Sequence, residues 1–454
     1  MLKHSISQDL SLSNNPKLHA TISGYQCMNY KGFDLMQFSG SPRDIGKTRG
    51  RNLRGRIEES IRRFSFAFAN DWNLDWQWLR EFSVKNFQSK LDFKIKEEIE
   101  GMGEGLRASG SNITEEDILA LNCLFDAESY LTSIRKDKDV KLHKNGGCTS
   151  FIANGEFTSD GDYVIGHTTW WRYFTGVNFN HLEVIKPEKG NAFAMQTAPG
   201  LLFSGTDFYY NSKGISISET TLDGINTYNL DGTPVFQRLR LAIEKAADLY
   251  QVANILSREN TGAYANDYLI GDAKEKKIGL LELATYDHVF SVKSNGYYVS
   301  SNLVQYPEIM KESSIVYDNT LNSDNSRYER LNTLVNTLKP LDSEKAKMIL
   351  KDHFDISLNK EKPGKNSICG HREIEERLDI FDKKPLFFPT GSIDGKVATG
   401  SSALSGKSMF KWGKPCGDSF ITSDFELKHP EYSVYFSYLR DIISEPWTSV
   451  DHYW

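Results

Sequence analysis

Residues Lys144-Asn145-Gly146-Gly147-Cys148-Thr149-Ser150-Phe151 decide how the rest of the chain is read. A charged, proline-free segment, Arg135 to Lys144, runs into two glycines, and Cys148 then opens an apolar run, Phe151-Ile152-Ala153, that reads as a strand. Glycines reach backbone angles closed to other residues, so the peptide ahead of Cys148 can be held strained and close to the thiol. Attack of the Cys148 sulfur on the Gly147 carbonyl, followed by hydrolysis, would leave Cys148 as a new amino terminus carrying both a thiol and a free amine. An amine with a reference pKa of about 8 is a sufficient general base for a thiol of about 8.5, so no Cys-His dyad is required. An isolated Gly-Gly-Cys is more often a buried structural cysteine after a turn. The residues downstream of Cys148 decide between the two.

The 454 residues can bury a large core, and the apolar and charged fractions are those of an ordinary globular protein. A formal charge of −6, with no long basic run, gives no reason to expect nucleic acid. Met1 to Asp9 lacks the apolar core of a secretory signal and no run is long enough to cross a bilayer, so a cytoplasmic location without membrane insertion is expected. The five cysteines, Cys27, Cys123, Cys148, Cys369 and Cys416, are odd in number and scattered, which fits a reducing compartment with one thiol available for chemistry. The sequence has no His-Glu-x-x-His, no Cys-x-x-Cys and no clustered His/Asp ligand set, so neither metal nor cofactor is expected. A homo-oligomer is left open.

In chain order, residues 20–40 alternate as one or two strands, and Ser41-Pro42 opens a helix followed by Ile57, Ile61, Phe64 and Phe68 at helical spacing. Further helix is expected over 74–88 and 93–107, and Thr114 with Asp117 forms a capped start before Ile118, Leu121 and Leu124. Residues 1–147 thus read as a mostly helical segment ending in a cleavable linker, 135–147, and residues 148–454 as the catalytic portion, the two forming one compact domain. After Cys148 short strands dominate, among them Tyr163 to Thr168, Gly214 to Thr221, Tyr268 to Gly271 and Ile278 to Leu283. One long amphipathic helix, Pro234 to Ser257, is expected to interrupt them, with two more over 325–337 and 343–352. Gly400 to Ser408 reads as a flexible loop. Strands in runs broken by grouped helices suggest antiparallel sheets between helical layers.

The ordered motifs Gly147-Cys148-Thr149-Ser150, Gly166-His167-Thr168-Thr169-Trp170, Pro199 to Tyr209, Ser218-Glu219-Thr220-Thr221 and Asn260 to Tyr268 resemble the phospholipase B-like family. The segment Gly40 to Gly50, the Gly-Cys-Thr junction and Ser367-Ile368-Cys369-Gly370-His371 also resemble the acyltransferases typified by the isopenicillin-N acyltransferase group. Both groups are N-terminal nucleophile hydrolases, which implies an α+β fold, a four-layer αββα sandwich. The resemblance spans about residues 25–420. It implies Cys148 as processing and catalytic nucleophile, Gly147–Cys148 as the bond cut, His167 as a group orienting the amine or binding substrate, and Asn266 as oxyanion donor. Trp170, Phe203, Asp207, Glu219 and Thr220 would line the substrate pocket. Trp170 stands where many relatives keep an aspartate touching the nucleophile, so that contact is expected to be missing.

The function expected is hydrolysis of a linear amide or ester of an N-acyl substrate through a thioester. Transfer of the acyl group to an amine, deacylation of phospholipid and a non-catalytic binding role are the alternatives.

Overall fold

Two β-sheets lie face to face, and their inward side chains alternate with outward ones as pleated strands require. The computed structural model describes residues 17–22, 25–135, 147–315, 322–374, 380–381, 384–385, 389–452 and 454. Apart from its two ends, Arg135 and Gly147, the expected cleavable linker lies outside the described residues.

The larger sheet has ten strands, in the order Lys17–Ile22, Tyr25–Tyr30, Phe33–Gly40, His181–Pro187, Phe193–Thr197, Phe208–Asn211, Ile215–Thr221, Asn266–Asp272, Lys277–Leu283 and His288–Lys293. Its pairings are antiparallel but for one: Phe33–Gly40 runs parallel to His181–Pro187. The expectation of purely antiparallel sheets fails there because the helical stretch between these strands supplies the long crossover that a parallel pair needs. The smaller sheet orders Gly296–Ser300, Thr149–Gly155, Gly161–Thr168, Asp394–Thr399, Lys407–Trp412 and Thr448–Asp451.

The register fixes which side chains meet. Ser150 stands opposite His167 on one neighbour and Ser300 on the other. Its Oγ lies 2.6 Å from Ser218 Oγ of the larger sheet, and Tyr163 OH lies 2.7 Å from Ser216 Oγ. Phe151 and Ala153, one position out of phase, instead pack with Leu331, Val335, Ile349 and Leu350 of the helices Ser323–Leu338 and Ser343–Leu350. One step back along this alternation brings Cys148 to the cleft between the sheets.

The outer face of the larger sheet is covered by Pro42–Asn52, Val235–Lys245 and Leu249–Ser257, with Phe93–Ala108 packed on the first. That last pair touches backbone to backbone: a Cβ on Gly46 would stand 2.0 Å from Glu98 O, and one on Gly101 2.1 Å from Arg43 O. The layers are therefore helix, sheet, sheet, helix, the four-layer αββα arrangement expected.

Two local expectations are corrected. The helix expected over 234–257 is two, Val235–Lys245 and Leu249–Ser257, because Ala246 turns extended and the Asp248 carboxylate caps a new start by accepting from Gln251 N. The loop expected over 400–408 holds a short helix, Gly400–Leu404, capped reciprocally by Thr399 and Ser402, and then a strand. No described helix is long and apolar enough to cross a membrane.

Candidate functional site

Cys148 is almost fully buried at the mouth of the strand Thr149–Gly155, and its thiol donates to Asp207 Oδ2 at 3.3 Å. Asp207 ends the loop after Phe193–Thr197 with φ +63°, a left-handed backbone that aspartate tolerates better than most residues and that turns its side chain towards the sulfur. Trp170 offers the sulfur no carboxylate, and Asp207 supplies one from the loop that leads into Phe208–Asn211. Tyr264 OH donates to both Asp207 oxygens, at 2.8 and 3.0 Å. Tyr264 is itself placed by its stack on Phe125, 4.6 Å between ring centres, and Phe125 packs edge-on against Phe203. Phe203 thus meets Tyr264 through the Phe125 ring, within the buried core.

The backbone of Cys148 is held as tightly as its side chain. Its N–H donates to Asn302 Oδ1 at 3.1 Å, and Arg327 donates to Cys148 O at 2.6 Å and to the same Asn302 oxygen at 3.0 Å. The Arg327 guanidinium lies over the Trp170 ring, 4.5 Å from its centre. On the same ring rests Gly147, where a Cβ would come within 2.6 Å of Cε3, so only glycine fits ahead of Cys148.

His167 presents Nε2 to Glu219 O at 3.0 Å, across the inter-sheet gap. A carbonyl partner fixes the proton on Nε2 and leaves the Nδ1 lone pair without a protein partner among the described residues. Burial, reinforced by the charge of Lys396, keeps this imidazole neutral far below its ordinary pKa. One ligand atom each from Cys148, His167 and Asp207 lie within 4.8 Å of one another.

Burial pushes the Asp207 carboxyl up to about 6, against the pull of Lys396 and of the hydrogen bonds from Tyr264 and Cys148. Glu219 is likewise raised well above the ordinary carboxylate value, by burial and then by the neighbouring Asp207 charge. The Cys148 thiol is raised by burial and then by Asp207, so it holds its proton until a base removes it. Lys396 Nζ donates to Thr169 Oγ1 and Thr206 O, each at 2.6 Å, and pairs with Asp394 at 3.0 Å.

Asn266 lies opposite Thr221 in the register, on the face turned away from Ser216, Ser218 and Thr220. Its Nδ2 donates to Tyr264 O at 2.7 Å and Glu219 Oε2 at 2.9 Å. Asn266 therefore reaches the sulfur through Glu219 and Asp207 as the chain stands. Thr220 points the other way, its hydroxyl paired with Ser300 Oγ beside Asp267. The motifs gather Gly147, Cys148, His167, Trp170, Asp207 and Glu219 in one place. Tyr264 lies inside the motif Asn260 to Tyr268, but its role there is visible only in three dimensions; Asn302, Arg327 and Lys396 lie outside every motif.

A family model described as Phospholipase B matches residues 94–419. An uncharacterized protein of Archaeoglobus fulgidus is 24% identical over 300 residues, covering 63% of this chain and 48% of that protein. Phospholipase B-like 1 of Bos taurus is 23% identical over 398 residues, covering 74% of this chain and 70% of the relative. The chain thus spans about half the length of the archaeal relative it matches. Among solved structures, a mutant conjugated bile acid hydrolase from Clostridium perfringens aligns with TM-score 0.35 and 11% identity, covering 58% of this chain and 88% of that one.

Proposed function

The chain belongs to the phospholipase B family, and from that premise we propose that it is a hydrolase whose nucleophile is the Cys148 thiol, freed by scission of the Gly147–Cys148 peptide, and whose substrates are linear N-acyl amides or the corresponding esters. The observation that carries this reading is the 3.3 Å contact of Cys148 Sγ with the Asp207 carboxylate, one residue after a glycine that nothing larger could replace.

A buried thiol with a raised pKa does not ionise unaided; it needs an acceptor as it attacks. Asp207, its carboxyl near neutrality at about 6, is suited to take that proton. The sulfur then adds to the Gly147 carbonyl carbon, the Gly147–Cys148 C–N bond breaks, and the departing nitrogen receives the proton, giving a thioester and a free Cys148 amine. Water cleaves the thioester, leaving a Gly147 carboxylate and a regenerated thiol. Asn302 Oδ1, already an acceptor for this nitrogen, would hold one amine N–H and direct the lone pair towards the sulfur. In turnover the amine takes the thiol proton, the substrate acyl group passes to sulfur, and a second water releases it. The His167 Nδ1 and Asn266 Oδ1 acceptors, buried without protein partners among the described residues, are suited to bind the substrate's donor groups. Asn266 Nδ2 would serve the oxyanion once Glu219 releases it.

A thioester serves amides and esters alike, and the relatives' names favour ester cleavage in phospholipid as a second reading. Intact mass and amino-terminal sequencing of the purified chain test the first step. Wild type is expected to yield a piece beginning at Cys148, Cys148→Ala to stay whole, and Asp207→Asn to cut about 10²- to 10⁴-fold more slowly. A wild type that stays uncut, with turnover of a soluble N-acyl amide unaffected by Cys148→Ala, overturns the proposal. Activity confined to micellar phospholipid selects the second reading.

A further inference from the structure

The sequence holds no contiguous metal-ligand motif, yet the fold draws four ligand side chains together from three separate segments. His353 follows the helix Ser343–Leu350, Cys369 and His371 sit on the loop that precedes Arg372–Ile374, and Cys416 lies in the turn after the strand Lys407–Trp412. One ligand atom from each lies within 4.8 Å of all the others. We propose that His353, Cys369, His371 and Cys416 form a structural Zn²⁺ site, a closed tetrahedron that fixes the wall behind Trp170.

The separations are those of a tetrahedron. His371 Nε2 lies 3.1 Å from His353 Nε2, 3.5 Å from Cys416 Sγ and 3.7 Å from Cys369 Sγ. With Zn–N of about 2.05 Å and Zn–S of about 2.3 Å, tetrahedral angles set N···N at about 3.3 Å and N···S at about 3.6 Å. Hydrogen bonds alone do not account for the cluster. One imidazole nitrogen offers a single in-plane proton or lone pair, and three groups converge on His371 Nε2. A cation at their centre satisfies all of them at once.

The surroundings are those of ligands rather than of a surface cluster. Cys369 and His371 are buried, at 0% and 3% exposure. The far nitrogen of His371, Nδ1, faces Glu373 Oε1 at 3.3 Å, and Glu373 is in turn held by Lys414 Nζ at 3.0 Å and Tyr173 OH at 2.7 Å. A carboxylate behind a ligating imidazole fixes its tautomer and raises its basicity. Asp418 N–H donates to Cys416 Sγ at 3.4 Å, the bond a metal-bound thiolate accepts. Two thiolates and two neutral imidazoles cancel the charge of Zn²⁺, so the loaded site is neutral, as a buried one should be.

The metal would act on the nucleophile's setting at one remove. Trp170 Nε1 donates to Ile368 O at 3.1 Å, and a Cβ on Gly370 would stand 2.2 Å from the same indole. The stretch between Ile368 and His371 is thus the backing of the ring on which Gly147 and Arg327 rest. This inference stands whether or not Cys148 is a nucleophile.

The test uses the full chain purified under reducing conditions without chelator, with metal measured by elemental mass spectrometry and Co²⁺ binding followed by absorbance. We expect close to one zinc per chain, a sulfur-to-cobalt charge-transfer band on substitution, and loss of both in Cys416→Ser and His353→Ala, which change the two half-buried ligands. Cys148→Ala should keep the metal, and Glu373→Gln should weaken its binding by about 10- to 100-fold. Folded, reduced wild type that takes up neither Zn²⁺ nor Co²⁺, or a Cys369–Cys416 disulfide in protein isolated without oxidant, overturns the site. So does zinc retained in both ligand variants. Should those variants not fold, Zn²⁺ and Co²⁺ titration of chelator-stripped wild type decides on its own.

Discussion

Two buried charge clusters flank the larger sheet, and they are built to opposite ends. On its helix-covered face, Arg49 donates to Glu98 at 2.7 Å and to Glu183 at 3.0 Å. Arg240 also grips Glu98, at 2.7 and 3.2 Å, and pairs with Glu244, which Lys94 meets at 2.8 Å. Three cations thus answer three carboxylates. Burial alone would push Glu183 up, but the charge of Arg49 and the hydrogen bond from His181 hold it below the ordinary carboxylate value. Around Cys148 the count is unequal: Asp207, Glu219 and Asp394 share the ammonium of Lys396, and Arg238 adds its charge at Glu219. There burial prevails: the carboxyls rise and His167 and Lys396 fall. Equal burial with matched charge gives a clamp, whereas equal burial with unmatched charge gives groups ready to exchange protons.

The largest effect expected from this contrast is in the matched cluster. Glu98→Gln leaves two guanidinium groups, Arg49 and Arg240, facing a neutral amide at a fully buried position. Breaking a buried pair from one side costs roughly 3–5 kcal/mol, and a urea or guanidinium denaturation curve should show a loss of that order. A loss of under about 1 kcal/mol would mean that water reaches the cluster, and the distinction between the two sides of the sheet would fail.

The unmatched cluster should respond in the opposite direction and only over part of the pH range. Asp207 titrates at about 6 in the fold because of burial, against 3.8 for the free side chain. A carboxyl raised on folding is protonated in the native state while the unfolded chain has already ionised, so native stability falls as pH climbs from about 4 through about 6. Two pKa units correspond to about 3 kcal/mol. Asp207→Asn should therefore match wild type in stability below pH 4 and exceed it by as much as about 3 kcal/mol above pH 6. Denaturation midpoints of the two proteins at pH 4 and pH 8 check this; a variant less stable at pH 8 would place Asp207 in a clamp after all.

How far each cluster can be read from sequence differs for a related reason. Local signals are carried by neighbours, and those are legible: Ser41 with Pro42, and Thr114 with Asp117, cap the helices expected of them. The break at Ala246–Asp248 is hidden because Leu239, Ala242, Ile243, Leu249 and Val252 keep a helical apolar spacing straight through it. Only the Asp248 cap betrays it. At the site, residues within ordered motifs (Cys148, His167, Asp207, Glu219) come together, since each lies on a strand or at the head of one. Asn302 and Arg327 lie more than 150 residues from Cys148 and bind its backbone. No local pattern marks such a role. Lys396 sits in Asp394-Gly395-Lys396, which has the composition of an exposed turn but lies inside a buried strand. Asn266 keeps its motif and loses its direct contact, because register turns its side chain to the other face of the sheet.

The smallest effect provides the control, and the same two helices supply it. Arg43, nearly two turns before Arg49 on Pro42–Asn52, reaches Glu97, Glu100 and Glu104 on Phe93–Ala108 at 3.2, 2.8 and 2.5 Å. Measured by distance, this fork matches that of Arg49, and the hydrogen bonds Arg43 donates to the three glutamates raise its pKa well above its ordinary value. Solvent separates the two cases. The Arg43 side chain is 41% exposed while that of Arg49 is 0% exposed. In water both partners keep their hydration when the pair is broken, and salt screens what attraction remains. Arg43→Ala should accordingly shift the denaturation midpoint too little to resolve, and any shift should vanish in molar salt. If instead Arg43→Ala proved as damaging as Glu98→Gln, hydrogen-bond geometry rather than burial would be what distinguishes a clamp from a surface pair, and the contrast between the two faces of the sheet would have to be rebuilt on that basis.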